Sequence, residues 1–419
     1  MEKILSILLA EFRENLPDTE NSILRDLKFP EVPNMINIAI GIRRSGKTYL
    51  LYQKIRELVA KGISLDQVLF INFEDERLMP MNQHELGQLL DMFYTIYPEN
   101  HERECYFFLD EIQNIDGWPL VIRRFYDSKK VKIFLTGSSA KLLSKEIATS
   151  LRGRSISTEV LPYSFLEYWK AQKIEKPKPP IGKKIQDQFY KHFKNYFSIG
   201  GFPAIQHLYE NERRTILQGY IDTVVFRDIV ERYKITNIPL IKYLIKSLIN
   251  NVATLFSINK FYNDIKSQGY KVSKDAVYQY MEYIENSFLA FSIPIFSESI
   301  RKMQTNPKKI YIIDNGLVKA NRLGISLQLG NLFENQVYLD LRRNNKKVRY
   351  YLTKDGYEVD FIVENFDGYL ELIQVVWDIS DKTTLDREKR ALLQAEKELG
   401  IKGRIITPQE YILEYLKKK

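Results

Sequence analysis

Short apolar runs alternate with stretches of helical periodicity between residue 35 and about residue 160. The apolar runs occupy residues 35–40, 68–73, 105–109, 132–136 and 155–160. Strands that are largely apolar and are separated by helices are typical of a parallel sheet covered on both faces. We therefore expect an α/β domain that binds its ligand at the C-terminal ends of the strands.

The pattern changes three times after this region. A segment rich in Lys and Pro at 172–180 predicts an exposed, extended connector, and residues 183 to about 250 have helical periodicity. Residues 257–313 predict two helices across a tight turn, capped by Ser257 and Ser273, and then two strands at 289–296 and 309–313. This is the order of a winged helix-turn-helix. A helix and several strands from about residue 325 predict a small α/β domain. We divide the chain into parts at 1–170, 171–250, 251–320 and 321–419.

Residues 41–48 read G-x-x-x-x-G-K-T, between the first predicted strand and a predicted helix. This is the phosphate-binding loop of P-loop NTPases, in the structural context that the motif requires. Lys47 is expected to reach the β- and γ-phosphates of ATP, and the Thr48 hydroxyl to hold Mg²⁺. The residues expected to contact the nucleotide are Gly41, Arg43, Arg44, Ser45, Gly46, Lys47, Thr48 and Tyr49.

An acidic pair, Asp110 and Glu111, ends the third predicted strand. Such a pair about sixty residues after a phosphate-binding loop is the Walker B arrangement. We expect Asp110 to hold Mg²⁺ and Glu111 to orient and polarise the attacking water. The fourth strand ends in polar residues, from which we choose Ser138 as the side chain that senses the γ-phosphate, with Thr136 and Ser139 as rivals.

Two basic pairs have more than one possible role. Arg154, or its rival Arg152, is a candidate arginine finger that would act across an interface between copies of the chain, so a homo-oligomer is one expected state. Structural ion pairing is the alternative for both residues. Arg43 and Arg44 are expected to contact either phosphate or the acidic cluster at 74–76.

Composition narrows the class of protein. The chain has 419 residues, a net charge of +9 and a single cysteine, Cys105, which excludes a disulfide or a cysteine metal site within the chain. Four scattered histidines show no ligand spacing. The apolar stretch at 4–10 is too short to span a bilayer, so we expect a cytoplasmic protein without a membrane partner. The positive charge fits either a polyanionic partner or a solvated surface rich in lysine.

Several motifs occur in the order found in a known family. They lie at 41–48, 70–75, 108–113, 135–139 and 161–165, and are followed by G-G-F-P at 200–203, F-R-D-I at 226–229 and K-I-Y-I-I-D-N-G at 309–316. Together they resemble prokaryotic AAA-type ATPases of the archaeal-ATPase-related group, and the resemblance covers nearly the whole chain. It implies a P-loop NTPase sheet, a helical lid over 171–250, a winged helix and a C-terminal restriction-endonuclease-like domain.

The resemblance to restriction-endonuclease-like folds also implies which residues would form a nuclease site. The family pattern is a helix Glu, a strand Asp and then Glu-x-Lys, and this chain has Glu334, Asp360 and Gln374-Val375-Val376. A metal-dependent nuclease needs carboxylates and a Lys, and Val376 supplies neither. We therefore expect this domain to be catalytically degenerate.

The winged helix is the expected contact with nucleic acid. Its second helix carries Lys274, Tyr278 and Gln279, and the connection between its strands carries Arg301, Lys302, Lys308 and Lys309. Cations at these positions suit phosphate contacts, but winged helices also bind proteins.

We therefore expect a Mg²⁺-dependent ATPase that uses ATP to rearrange C-terminal domains, which bind DNA. One alternative is a slow nucleotide-dependent switch or scaffold that binds a partner protein. The other is an ATP-gated nuclease.

Overall fold

The computed structural model describes residues 2–16, 23–140, 149–174, 182–322 and 328–417. The chain forms two compact units, Met1–Leu161 and Pro162–Lys419. Most of the predicted connector lies outside the described residues, and the finer division into four parts stays a prediction. Within the described ranges, no helix is both long and apolar enough to cross a membrane.

The first unit is built on a five-stranded sheet in which every neighbouring pair is parallel. Its strand order is β2-β3-β4-β1-β5. In chain order the elements are α1 (Glu2–Glu14), β1 (Ile36–Ile40), α2 (Lys47–Ala60), β2 (Val68–Asn72), α3 (Gln83–Ile96), β3 (Cys105–Asp110), α4 (Trp118–Ser128), β4 (Val131–Gly137) and β5 (Ser155–Glu159). Short 3₁₀ turns occupy Leu65–Gln67, Glu76–Leu78, Pro98–His101 and Ile112–Asn114.

The five strands and their parallel arrangement confirm the sequence-based prediction. Strands β1 to β3 are mostly or wholly buried because their side chains face helices on both sides. The parallel register places Ala39 beside Thr136, and Leu109 beside Leu135. The C-terminal ends of β1, β3 and β4 therefore meet at one edge of the sheet, where the candidate nucleotide residues follow.

The second unit combines helices with two smaller sheets. Its elements are α5 (Phe165–Ala171), α6 (Lys183–Ile199), a 3₁₀ turn (Pro203–Ile205), α7 (Glu210–Thr223), a π-helical segment (Val224–Glu231), α8 (Ile238–Asn250), β6 (Leu255–Phe256), α9 (Ile258–Ser267), α10 (Lys274–Asn286), β7 (Ala290–Ile293), α11 (Ile300–Thr305), β8 (Lys308–Ile312), α12 (Asn315–Asn321), α13 (Leu329–Arg343), β9 (Lys347–Leu352), β10 (Glu358–Glu364), β11 (Leu370–Val375), α14 (Lys382–Leu399), β12 (Gly403–Ile406) and α15 (Pro408–Lys417).

The two predicted helices after residue 257 begin where their caps predict. Ser257 and Ser273 accept hydrogen bonds from the backbone N–H groups of Lys260 and Ala276. The strand predicted to reach residue 296 ends earlier, at Ile293, because the next residue is Pro294, which has no N–H to donate. The predicted basic connection contains helix α11, and its residues Lys308 and Lys309 belong to strand β8.

The two sheets of this unit differ in topology. The antiparallel sheet β6-β8-β7 is formed within residues 255–312, and the sheet β12-β11-β10-β9 is formed by the C-terminal part of the chain. In the second sheet, β11 and β12 are parallel and the other pairs are antiparallel.

Two motifs far apart in the sequence meet at the buried carboxylate of Asp314. Its Oδ2 accepts a hydrogen bond from Gly201 N at 2.6 Å, and its Oδ1 accepts one from Leu317 N at 3.0 Å, which caps α12. A Cβ on Gly200 would lie 2.3 Å from the same carboxylate, so only glycine fits. Asp314 therefore joins the G-G-F-P segment after α6 to the start of α12.

Replacement of Asp314 by Ala should destabilise the second unit by roughly 2–4 kcal/mol, because it leaves two buried N–H groups without an acceptor. Urea unfolding of Asp314→Ala measures the change, and Asp386→Ala, which removes an exposed carboxylate on α14, is the matched control. Equal unfolding midpoints for the two variants would contradict a structural role for Asp314.

Candidate functional site

The phosphate-binding loop connects the C-terminal end of β1 to the first turn of α2. Gly41 has a φ of +151°, and a Cβ there would lie 2.3 Å from Val160 O. Gly46 precedes α2 with a φ of +99°, and no side chain caps the first turn of this helix. The helix therefore offers its first N–H groups, with their partial positive charge, to an anion.

Two buried side chains show that the loop is shaped for an oxyanion. Lys47 Nζ lies 3.2 Å from Gly41 O, 3.3 Å from Ile42 O and 3.2 Å from Glu111 Oε1. Ser45 Oγ is fully buried and has no hydrogen-bond partner in the part of the chain that the structure describes. An unsatisfied buried hydroxyl beside a buried ammonium is the pattern expected where a phosphate binds.

Asp110 and Thr48 bring two oxygen donors together at the end of β3. Thr48 Oγ1 donates a hydrogen bond to Asp110 Oδ2 at 2.8 Å, and the Thr136 hydroxyl donates to Asp110 Oδ1. Burial raises the pKa of Asp110 to about 6, and the neighbouring charge of Glu111 adds to this rise. A hydroxyl and a carboxylate are the ligands that Mg²⁺ prefers, so the pair fits the predicted metal position.

Glu111 follows β3 in a left-handed conformation, with a φ of +52°. Burial acts to raise its pKa, but the Lys47 ammonium and a hydrogen bond from Gln113 hold it below its ordinary value. The Glu111 backbone N–H donates to Thr136 Oγ1 at 2.9 Å. The carboxylate is therefore ionised at neutral pH and held beside the loop.

Ser138 is fully buried, and its Oγ accepts a hydrogen bond from Gln113 Nε2 at 3.4 Å. Its rival Thr136 contacts both acidic residues directly. Sequence reasoning missed Gln113, although its position two residues after Glu111 was a usable signal. It also missed Arg25, a buried residue that donates to Ser45 O and Leu161 O at 2.7 Å each.

The remaining predicted nucleotide residues lie at the rim of the loop. Arg43 forms an ion pair with Glu74, which was one of its two predicted partners. Arg44 is left-handed, with a φ of +65°. Tyr49 is 54% exposed, and its ring packs edge-on against Tyr52 with centroids 5.9 Å apart.

The two candidate finger arginines lie just before β5. Arg154 forms an ion pair with Asp127 and lies over the ring of Tyr126. Arg152 is left-handed, with a φ of +52°. In a single copy of the chain, Arg154 thus forms a structural ion pair, which was the predicted alternative to its role as an arginine finger.

A second cluster of charges lies in the other unit, around Lys309. Its Nζ is 2.8 Å from Glu334, 2.6 Å from Glu358 and 2.8 Å from Asp360. Burial would lower the pKa of Lys309, but the three carboxylates hold it well above its ordinary value. Lys309 is 1% exposed, so the prediction that it offers a charge to phosphate is wrong.

This cluster brings together the residues that the nuclease resemblance singled out. Asp360 N donates to Gln374 Oε1 at 3.2 Å, and Tyr311 Oη donates to Glu334 at 2.7 Å. Burial raises the pKa of Glu334 to about 8. Lys309, on β8, places an ammonium among these residues, which the order of residues in the sequence did not show. Its three N–H donors already face three carboxylates.

Comparison with known proteins decides the family. A family model described as an AAA domain matches residues 33–169, and one described as a domain of unknown function matches residues 190–329. An uncharacterized protein of Methanocaldococcus jannaschii is 38% identical over 385 residues, which are 90% of this chain and 82% of that protein. The chain belongs to the family of that protein. A Haemophilus influenzae member, also uncharacterized, is 30% identical over 365 residues, or 87% of this chain and 88% of the relative.

Solved structures with partial likeness include one protein in complex with DNA and one bound to AMPPCP. The Aeropyrum pernix ORC1 protein in complex with DNA is 13% identical, with a TM-score of 0.30 over 81% of this chain and 93% of that one. AMPPCP-bound DnaA from Aquifex aeolicus is 14% identical, with a TM-score of 0.25 over 68% of this chain and 88% of that one. TM-scores in this range carry no assignment of activity or ligand to the family.

The match to the AAA domain model agrees with the phosphate-binding loop. The family member described here is therefore an AAA-type protein with a P-loop nucleotide site at the C-terminal edge of its parallel sheet. In the described ranges, no group of three or more His, Cys, Asp or Glu side chains is placed to hold a metal by itself. A metal in the P-loop site would depend on ligands from Thr48 and the nucleotide as well as from Asp110.

Replacement of Lys309 by Met should destabilise the second unit by roughly 3–5 kcal/mol at pH 8, because it leaves buried carboxylates without a cation. Without the charge of Lys309 the pKa of Glu334 would rise further, and a carboxyl group whose pKa is raised by folding destabilises the fold above its unfolded pKa. The difference between variant and parent should therefore shrink as the pH falls from about 8 to about 5. Urea unfolding at both pH values measures this difference in the free energy of unfolding, and Lys302→Met, which removes an exposed cation, is the control. A difference that does not change with pH would contradict the view that unpaired carboxylates cause the destabilisation.

Proposed function

We propose that the first unit binds Mg²⁺-ATP and hydrolyses it to ADP and phosphate. The observation that carries this proposal is the position of Lys47, whose ammonium lies 3.2 Å from Glu111 inside a loop that also buries an unsatisfied Ser45 hydroxyl. A lysine, a hydroxyl and a helix N-terminus around one space suit a polyphosphate. Gly41 and Gly46 keep the backbone close to the phosphates, with Arg43, Arg44 and Tyr49 at the rim.

Binding of the phosphates would give Lys47 a new partner. Its ammonium would turn from the carbonyl groups of Gly41 and Ile42 toward the β- and γ-phosphate oxygens. Thr48 and Asp110 would hold Mg²⁺, which supplies positive charge against the phosphate oxygens. Thr136 fixes the Asp110 carboxylate through its hydroxyl.

Glu111 is the residue that we assign to the attacking water. A carboxylate that stays ionised accepts a hydrogen bond from water and later its proton, while the water oxygen bonds to the γ-phosphorus and the bond to the β-phosphate oxygen breaks. Gln113 holds Glu111 and also contacts Ser138, so this pair would link the base to the γ-phosphate sensor. Arg154 is our candidate finger in an oligomer, which requires it to exchange Asp127 for the phosphate of a neighbouring copy.

We further propose that the hydrolysis cycle rearranges the C-terminal parts of the chain and that these bind DNA. Residues 257–312 support a winged-helix interpretation, because α9 and α10 are followed by the antiparallel strands β7 and β8. Lys274, Gln279, Arg301 and Lys302 are exposed on α10 and α11, and Tyr278 is 40% exposed beside Lys274. These cations, together with a net charge of +9, favour a nucleic-acid backbone as the partner.

An ATP-gated nuclease receives less support from the C-terminal cluster. In a metal-dependent nuclease, carboxylates face the metal and lysine faces the phosphate or water. Here the Lys309 ammonium lies between the carboxylates that would be the ligands. A scaffold that binds a partner protein remains the alternative to DNA binding.

The Glu111→Gln variant should bind ATP about as well as the parent but hydrolyse it roughly 10²–10⁴ times more slowly, because the amide cannot accept the proton of water. ATP binding is measured by calorimetry and turnover by phosphate release in Mg²⁺. Glu102→Gln, which changes an exposed carboxylate of the same unit, should behave as the parent. Undiminished turnover in Glu111→Gln would contradict its role as base.

Duplex DNA should bind in a salt-dependent manner and stimulate ATP hydrolysis. Loss of both cations in the Arg301→Gln/Lys302→Gln variant should lower the slope of log K against log salt by about 2, since each phosphate contact contributes about one. Lys382→Gln/Arg390→Gln on α14 is the matched control. A turnover that does not respond to DNA, with no binding at low salt, would favour the switch or scaffold; cleavage of the DNA in Mn²⁺ would favour the nuclease.

A further inference from the structure

A basic pocket lies in the second unit, between α6, α7 and α12. Its cavity volume is about 280 Å³, and its lining includes Arg213, Arg214, Lys319 and Arg322. All of these belong to the region that matches the model of a domain of unknown function. The proposed ATP site uses none of them, so this pocket is independent of it.

Among the residues that the structure describes, one of the four cations of this pocket has a carboxylate partner and the three arginines have none. Lys319 pairs with Glu210, the acidic residue of the lining, at 3.3 Å. Within the described ranges of the chain, no carboxylate forms an ion pair with any of the three arginines. Three guanidinium groups that share one small cavity repel each other unless an anion lies between them.

Two of the arginines also have hydrogen-bond donors without acceptors. The Nε atoms of Arg213 and Arg322 are shielded from solvent and have no partner in the described part of the structure. Arg213 Nη2, in contrast, donates to Leu208 O at 3.0 Å, so this side chain is held in place. These two guanidinium groups therefore lack part of the hydrogen bonding that buried polar groups normally have.

The pocket lies against the first two turns of α7, a helix of 14 residues. Glu210 and Glu212 occupy the first turn of this helix and offset the partial positive charge of its N-terminus, so the arginines carry the attraction for an anion. The cavity is smaller than typical pockets for whole drug-sized ligands, so it suits a compact oxyanion. Phosphate offers four oxygen acceptors in a tetrahedron, whereas a carboxylate offers two, and arginine forks bind phosphate bidentately.

We propose that this pocket binds a phosphate group between the guanidinium groups of Arg213, Arg214 and Arg322. The phosphate belongs either to a free phosphate compound or to the backbone or end of a nucleic acid. Both sources present the same group to the arginines.

Calorimetric titration of the full chain tests the site with two probes, inorganic phosphate and a short 5′-phosphorylated oligonucleotide. All proteins carry Lys47→Ala, so that the phosphate-binding loop does not contribute and failure of the ATPase proposal has no effect on the result. The variants are Arg213→Gln, Arg322→Gln, Arg213→Lys and Arg322→Lys, with Arg390→Gln on α14 as the control. Melting temperatures establish that each variant is folded.

Each Gln variant should weaken phosphate binding about tenfold or more, as expected for the loss of one charge-assisted hydrogen bond. The Lys variants should weaken it nearly as much, because lysine keeps the charge but lacks the planar fork that binds two phosphate oxygens at once. Tighter binding of the oligonucleotide than of inorganic phosphate would identify a nucleic acid as the source, and the reverse order a free phosphate compound. Lys variants that bind as the parent, Gln variants without effect, or no binding of either probe at low salt would overturn the proposal.

Discussion

A buried ammonium that faces a buried carboxylate governs the first unit. Lys47 and Glu111 are both almost excluded from water and lie 3.2 Å apart, so each offsets a charge that would be costly to bury alone. The pair is held from outside by backbone carbonyls on one side and by Gln113 on the other. Such an arrangement keeps both charges ready to change partners when a phosphate enters, without first creating an unpaired ion.

The second unit uses the same chemistry for a different purpose. Lys309 is also buried, like Lys47, but its ammonium lies within 2.8 Å of three carboxylates. Lys47 contacts two neutral carbonyls and one carboxylate, which leaves its charge available to an anion. The partners, and not the burial, therefore distinguish a lysine that can bind phosphate from one that ties strand β8 to α13 and β10.

Two glycine motifs of the chain are explained by close contacts of the backbone. Gly41 is required because Val160 O approaches where a Cβ would be, and this closes the nucleotide loop against the end of β5. Gly200 is required because the Asp314 carboxylate lies where a Cβ would be. The hydrogen bond from Gly201 N to Asp314 joins the end of α6 to the start of α12, and this contact is structural. A glycine-rich motif thus marks close approach in both cases, and only the side chains around it separate a binding loop from a structural joint.

The amino-acid sequence by itself determined the parallel sheet, the positions of its five strands and the place of the phosphate-binding motif between β1 and α2. These follow from local signals: apolar runs, glycine spacing and the polar residues that end β3 and β4, which a parallel sheet must bring to one edge. Capping serines likewise placed the starts of α9 and α10. The roles of Thr136, Gln113, Arg25 and Lys309 depend on contacts between residues distant in sequence, which periodicity cannot show. The basic pocket of Arg213 and Arg322 was decided by tertiary structure alone, because it forms only when α7 and α12 pack side by side and bury donors that neither helix can satisfy.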